Sequence, residues 1–486
     1  MKKINEICKK QAHPVRVLQI GQGNFLRAFA DDMIDRANEA GVYDGCVTIL
    51  QIHGENNPAY AAQDACYTVL LRGKENGETV DAARVITSVA EVVNLPSAPW
   101  QLQLIAVSDT LETVISNTTE AGLVYDAQAK PLNGSERNYP ALLTTLLYVR
   151  YLFFGGDPAR GLMMLPCELI ENNGGILRDL VLRYAQDWEL PPQFAAWVND
   201  CCMFCSTLVD RIVTGYPKNP ADAAAIGDML GYEDALLDIA EPFAFWVIES
   251  PDPARAEARF PLNRAGLPVV FTEDLRPYRE RKVRILNGAH TAFVPAAYLA
   301  GQTIVRDCMT DPVIRGLIDR CIYEEILPTV ALPEDEVRAF ADSVCERFEN
   351  PFIDHALLSI CLNSVSKWKV RILPTLSDCI RAQKMPQMLV FSFAALCSFY
   401  ARGSMTEDGF AGARDDGVVY PIRDSEDVIA FFAEYGAQDD ILTRFMQHTA
   451  FWDMDLTTLP GFADAAVDAW NTIRQHGVRA AMEMML

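Results

Sequence analysis

Hydrophobic and polar positions follow two different rhythms along the chain. Through roughly the first 270 residues, short apolar runs are separated by amphipathic stretches, the pattern of strands alternating with helices. Val15-Arg-Val-Leu-Gln-Ile20 reads as a strand that runs straight into Gly21-Gln-Gly23-Asn-Phe25-Leu-Arg27, with an amphipathic helix continuing to Glu39. Cys46-Val-Thr-Ile-Leu-Gln-Ile52 is apolar on both faces, as a buried parallel strand must be. Segments 67–72 and 83–93 read as further strands, and 112–116 as a strand closing on the polar turn Ser116-Asn117-Thr118-Thr119-Glu120. Then come a helix over 139–153, a strand over 161–166, a helix over 174–188, and apolar segments at 204–212, 241–249 and 269–271. Beyond this point the pattern becomes helical, with helices expected over 312–328, 334–348, 351–365, 386–402, 425–435, 438–448 and 461–484. The expected architecture is an α/β, Rossmann-like domain over 1–272 followed by a mainly α-helical domain over 273–486.

Length and composition agree with two domains: 486 residues, half of them hydrophobic, are too many for one ordinary core. A formal charge of -23 argues against nucleic acid or an anionic membrane as partner, although a single site can still be locally positive. The apolar run 390–396 is too short to span a bilayer, and residues 1–10 lack the apolar core of an export signal, so a cytoplasmic protein is expected. Thirteen cysteines, an odd number and scattered, fit reduced thiols. Cys201-Cys202-Met-Phe-Cys205 reads as small buried hydrophobes, since no histidine lies between His53 and His290, and no metal is expected.

The strand–glycine turn–helix at 15–39 is the setting of a dinucleotide fingerprint. Gly21 permits a tight turn, and Gly23 lets the backbone approach a pyrophosphate at the helix start. Asn24 is a candidate cap and Arg27 a candidate phosphate partner, while Leu26 stands where the third glycine is usual. Asn117, Thr118 and Glu120 lie in a turn after a parallel strand, where a bound cofactor would sit. The strand at 46–52 ends in Gln51-Ile52-His53-Gly54-Glu55, so Glu55 is a weak candidate for the ribose. No Arg or Lys in 51–57 could pair with a 2′-phosphate; spacing alone leaves NAD and NADP open, and the resemblance described below favours NAD.

The second domain opens on Arg279-Glu-Arg-Lys282-Val-Arg-Ile-Leu-Asn287-Gly-Ala-His290-Thr-Ala-Phe-Val-Pro295, a helical pattern with Pro277 near its start and Pro295 near its end. With Lys282 at zero and about 100° per residue, Asn287 falls near ~140° and His290 near ~80°, on one side. An amine that exchanges a proton, an amide that donates to an oxygen and an imidazole are the groups needed to interconvert a secondary alcohol and a ketone. A solvated basic helix start with a satisfied histidine would read the same way in isolation.

Five stretches occur in order: Gly21-x-Gly23-x-Phe25-x-Arg27, Ser116-Asn-Thr-Thr-Glu-Ala-Gly122, Val209-Asp-Arg-Ile212, Glu241-Pro-Phe with Trp246-Val-Ile-Glu249, and Lys282-x4-Asn287-x2-His290. Together, over roughly residues 15–470, they resemble the polyol-specific long-chain dehydrogenase/reductase family, also called the mannitol dehydrogenase family. The resemblance implies an NAD site that includes Gly21, Gly23, Asn24, Phe25, Arg27, Asn117, Thr118 and Glu120. It also implies metal-independent hydride transfer with Lys282 as acid/base, Asn287 and His290 on the substrate oxygens, and Asp210 and Lys367 on the substrate side. Leu165–Gly174, Ile285–Thr291 and Ser392–Tyr400 point, within the family, to reduction of a keto-hexuronate, tagaturonate, to the aldonate altronate. Fructuronate, mannitol and mannitol 1-phosphate stay open as substrates, and monomer and dimer stay open as assemblies. A non-catalytic dinucleotide sensor is the reading from another class, against which the Lys–Asn–His spacing speaks. In one place the chain departs from the family: mannitol dehydrogenases carry an oxyanion-holding asparagine where Leu169 stands. Either Asn287 does that work alone or a neighbour such as Asn172 substitutes for the missing asparagine.

Overall fold

The computed structural model describes residues 2–130 and 137–486. The chain forms two compact units, one of residues up to Arg72 with Thr79–Leu275, the other of Gly73–Glu78 with Arg276–Leu486.

The first unit is built on six parallel strands in the spatial order Val89–Asn94, Cys46–Gln51, Val15–Ile20, Thr113–Ser116, Met163–Pro166, Met203–Phe204. Ranked by sequence this order is 3-2-1-4-5-6, the Rossmann arrangement, and it reverses between Val15–Ile20 and Thr113–Ser116. Alternation along the strands feeds two cores. Val17, Val47, Ile49, Ile115 and Leu165 pack with Phe29 and Trp246 in one, whereas Leu18, Ile20, Leu50, Val114 and Met164 pack with Leu142, Leu146 and Leu177 in the other. Both faces are therefore buried, which is why these strands read as continuous apolar runs.

The apolar segment 83–93 is not one strand. Glu78–Ile86 joins Tyr67–Glu75 and Asp238–Ala240 in a separate three-stranded sheet, and Val89–Asn94 takes the edge of the main one. Between them Thr87 bonds Asp35 through both its backbone N–H and its hydroxyl at 2.8 Å, and the Ser88 hydroxyl donates to the Asp31 carbonyl at 2.8 Å, which pins the chain as it changes sheets. A third sheet pairs Ser206–Asp210 antiparallel with Phe245–Glu249, which runs parallel to Val269–Thr272.

The second unit surrounds the helix Gln387–Ala401, in which every residue from Met388 to Tyr400 is buried. A helix apolar on all sides belongs in a core, and here it packs against Ala289–Leu299 and Phe462–His476. Several expectations need correction. Helix 351–365 is absent: only Leu357–Ile360 and Ser364–Arg371 are helical, separated at Asn363, whose φ of 52° is left-handed. Pro295 lies inside the helix Ala289–Leu299 and does not end it. Residues 461–484 form two helices broken at Gly477, and a small antiparallel sheet of Gly403–Thr406, Gly409–Ala413 and Val419–Pro421 interrupts the helical half. No helix among the described residues is long and apolar enough to cross a membrane.

Candidate active site

The glycine turn lies where the strand order of the first unit reverses. Gly21 has φ +103°, a conformation L side chains rarely adopt, and a Cβ there would sit 3.4 Å from the Asn117 carbonyl oxygen. Gly23 caps the helical run 24–39 with extended backbone, and a Cβ placed on it meets nothing within 4 Å. Open space over a helix start suits a pyrophosphate. Oε1 of Gln22, in the turn, and of Gln51, at the end of the adjacent strand, are buried acceptors with no partner among the described residues. The Gln51 amide nitrogen is fully engaged, donating to the carbonyls of His53 at 2.7 Å and Glu55 at 2.8 Å. These features fit a dinucleotide. Glu55 itself is exposed.

Arg27 is held within the first unit. It is buried, donates to the Leu236 carbonyl at 2.6 Å and to Asn24 Oδ1 at 2.7 Å, and lies 3.2 Å from Asp238. Its two terminal nitrogens are engaged by the fold while Nε is buried without a partner among the described residues, and Asn24 serves as its partner instead of as a helix cap, since the capping residue is Gly23. Phe25 is half-buried and stacks on Phe29 at 4.9 Å.

The turn after Thr113–Ser116 is held by a residue whose role the sequence did not signal. Glu168 is buried and accepts from the Thr118 N–H and hydroxyl, both at 2.9 Å, and from the Ser116 hydroxyl at 3.1 Å. Burial raises its pKa against the pull of those bonds. Asn117 donates to the Cys167 carbonyl at 3.0 Å. The Glu120 side chain lies outside the described residues. Leu169 is 67 % exposed, and the Asn172 amide turns toward Ser206 at 3.3 Å.

Asp210 is buried at the end of its strand. Its neighbour Arg211 explains more of the surrounding motif: it bonds the carbonyls of Glu241 at 2.9 Å and Ala28 at 2.6 Å and pairs with Asp32 at 2.9 Å. The Val-Asp-Arg-Ile and Glu-Pro-Phe motifs thus clasp the helix that follows the glycine turn.

In the second unit, Lys282–Gly288 is a π-helical stretch between Arg276–Arg281 and Ala289–Leu299. This corrects the helical-wheel argument. Bonding from i to i+5 sets residues five apart one turn above each other, so Lys282 and Asn287 align more closely than 100° steps allow. The extra residue per turn is accommodated where the chain approaches a neighbour: a Cβ on Gly288 would lie 3.4 Å from the Arg371 carbonyl oxygen. Lys282 and Asn287 are half-buried. The adjacent cations are not one solvated basic face, because Arg281 pairs with Glu336 at 2.7 Å and Arg284 with Asp378 at 2.6 Å.

His290 sits with its ring 4.2 Å from Phe348 and 5.5 Å from His355, and its Nε2 is buried without a hydrogen-bond partner. Burial, reinforced by His355, Arg347, Arg371 and Lys367, holds its pKa well below the ordinary value, so the imidazole is neutral. Lys367 donates to the Ile360 carbonyl at 2.9 Å.

A family model described as the mannitol dehydrogenase Rossmann domain matches residues 15–261, and one described as the mannitol dehydrogenase C-terminal domain matches 274–474. The chain belongs to the mannitol dehydrogenase family. It is 40% identical over 484 residues to an altronate oxidoreductase of Enterobacter sp. (strain 638), and 42% identical over 482 residues to one of Pectobacterium carotovorum subsp. carotovorum (strain PC1). Each alignment covers 97% of both chains. Among solved structures, a substrate-free D-sorbitol dehydrogenase superposes with TM-score 0.80 at 20% identity, over 99% of this chain and 100% of that one. Pseudomonas fluorescens mannitol 2-dehydrogenase, in ternary complex with NAD and D-mannitol, gives 0.64 at 21%, over 97% and 94%. These two likenesses establish the fold.

Within this mannitol dehydrogenase frame, the contacts made by Glu168, Arg211, Thr291 and Arg371 escaped the sequence reading. The motifs containing Glu168 and Arg211 were visible, but nothing in them distinguishes a clasp from a ligand. Thr291 and Arg371 come from different helices and meet only in the fold, where Arg371 Nη1 donates to Thr291 Oγ1 at 3.3 Å.

Proposed function

We propose that this member of the family interconverts D-tagaturonate and D-altronate with NAD(H). The observation that carries the substrate assignment is the 40–42% identity to altronate oxidoreductases across almost the whole of both chains. The π-helical register of Lys282 and Asn287 supports the chemistry. NADH, when bound, supplies the hydride; the turn of Gly21 and Gly23, with Asn117 and Thr118 after the neighbouring strand, is the part of the chain suited to hold it. In reduction, Lys282 gives a proton to the oxygen of the former ketone, and in oxidation it takes that proton back. Asn287 makes no side-chain hydrogen bond of its own among the described residues, so its amide can donate to the same oxygen as charge develops there. Neutral His290, with Nε2 unpartnered, orients a neighbouring hydroxyl. Asp210 and Lys367 are assigned to the substrate side. The absence of Arg or Lys in 51–57 supports NADH over NADPH.

The test is NADH oxidation with tagaturonate, fructuronate, fructose and fructose 6-phosphate under identical conditions, repeated with NADPH. Tagaturonate should give the highest kcat/KM, and NADH should be preferred by roughly tenfold or more, about 1.4 kcal/mol. Faster turnover of fructuronate or a neutral ketose would overturn the substrate, and an NADPH preference would overturn the cofactor.

A further inference from the structure

Helix Ser364–Arg371 is fixed by Trp368, which is fully buried, bonds Ser392 at 2.9 Å and packs on Phe393 and Trp452. Lys367 and Arg371, four residues apart, share a different side of that helix. Both are half-buried. Among the described residues neither has a carboxylate within ion-pair distance, whereas Arg281, Arg284 and Arg315 of the same unit each do. In a chain with a formal charge of -23, acidic partners are plentiful. Two neighbouring cations held half-buried without one are a costly arrangement unless an anion completes it.

The surroundings point the same way. Arg371 commits one donor, at 3.3 Å, to Thr291 Oγ1, which in turn donates to the Asn287 carbonyl at 2.8 Å. A guanidinium has five donors in a planar fork, so an edge is left for bidentate recognition. Thr291 directly follows His290, whose Nε2 is buried and unpartnered. Arg371 loses proton affinity by burial alone, and Lys367 loses it by burial and by the repulsion of Arg371, against weaker opposing pulls from Cys361 and Asp424.

We propose that Arg371, with Lys367 beside it, binds the carboxylate of the sugar-acid substrate and so sets the preference for keto-acids over neutral ketoses. This rests on the functional reading above and adds a residue and a selectivity to it. Thr291 acts as a positioning residue, tying the guanidinium to the backbone of Asn287.

The experiment compares wild type, Arg371→Gln and Arg371→Lys on tagaturonate, fructose and fructose 6-phosphate, with altronate binding measured by calorimetry in the presence of NAD. Charge-assisted hydrogen bonds contribute about 1.5–3 kcal/mol, which corresponds to roughly ten- to a hundredfold. Arg371→Gln should raise KM for tagaturonate by that factor with a smaller change in kcat. Its kcat/KM for tagaturonate should fall at least ~10-fold more than that for fructose. Arg371→Lys keeps the charge and should fall between the two, which separates loss of recognition from loss of fold. Equal losses on tagaturonate and fructose, or an unchanged KM for tagaturonate, would overturn the proposal, as would a wild type that prefers fructose 6-phosphate. A wild type active only on fructose would overturn the functional reading instead. In that case weaker altronate binding by Arg371→Gln would still support the subsite, and unchanged binding would overturn it.

Discussion

In the first unit the buried arginines are tied to carboxylates and carbonyls of the fold. Arg27 is spent on Asp238, Asn24 and a carbonyl, Arg211 on Asp32 and two carbonyls, and Arg150 on the carbonyls of Ala106, Ser108, Leu111 and Arg160. The buried side-chain atoms left without a partner near the glycine turn include the amide oxygens of Gln22 and Gln51 and Arg27 Nε. In the second unit the order is reversed. Among the described residues Lys367 and Arg371 stand half-buried with no carboxylate within ion-pair distance, beside a neutral His290. A paired buried charge fixes geometry, and an unpaired one is placed for a ligand. On the reading proposed above, the first unit offers backbone and amides to a dinucleotide, and the second offers cations to an acid.

The contrast is broken most forcefully at Arg211. Its pair with Asp32 is almost fully buried, and removing one partner of such a pair costs about 3–5 kcal/mol. Arg211→Met should lower stability by that order in denaturant unfolding; a loss under about 1 kcal/mol would deny the arginine its scaffold role. Despite burial, Arg211 and Arg36 hold the Asp32 pKa below its ordinary value. The stability this contributes is present above the unfolded carboxylate pKa of about 4 and is lost as pH falls through the lower folded value. The gap between wild type and variant should therefore narrow in acid.

Gly21 and Gly23 sharpen the picture within one turn. Gly21→Ala places a side chain at φ +103° and should cost about 1–3 kcal/mol of stability. Gly23→Ala meets no atom within 4 Å, so stability should change by no more than about 0.5 kcal/mol. NADH affinity should nonetheless fall by roughly tenfold, because the new methyl occupies the space over the helix start. Calorimetric titration with NADH checks this, and unchanged affinity would move the cofactor away from the turn.

How far the sequence could be read follows the same division. The strand, glycine turn and helix at 15–39 were legible because period, turn residues and amphipathic face all agree, and the helix Gln387–Ala401 because it is apolar throughout. The contact of Arg27 with Asp238 was not legible, since a basic residue one turn into such a helix looks the same whether its partner is a phosphate or an acid more than 200 positions away. The π stretch at Lys282–Gly288 has no residue signature, so the wheel had to assume α-helical steps. Leu357–Ile360 and Ser364–Arg371 were merged because Asn363 gives no warning as strong as Gly or Pro. The sheet at 403–421 was overlooked because Met405 and Val419 are exposed and no alternating apolar face marks it.

His290 provides the smallest test. Its folded pKa is depressed, so the unfolded chain binds a proton below about pH 6.5 that the folded chain refuses. Stability from this group is therefore lost as pH falls below that value. Between about pH 7 and 5, wild type should lose more stability than His290→Phe, a substitution that keeps the contact with Phe348. Parallel curves would mean that the ring is protonated in the folded chain.

The central claim is that Lys282 is the proton-transferring group, and paired alanine variants test it most directly. General acid–base groups contribute about two to four orders of magnitude. Lys282→Ala should therefore lower kcat for tagaturonate by at least ~100-fold while NADH affinity stays near wild type, with small amines restoring part of the rate. Arg284→Ala, two residues on, loses its bond to Asp378 and should cost stability with little change in kcat. Equal, small reductions of kcat in both variants would contradict the assignment of Lys282 and the chemistry built on it.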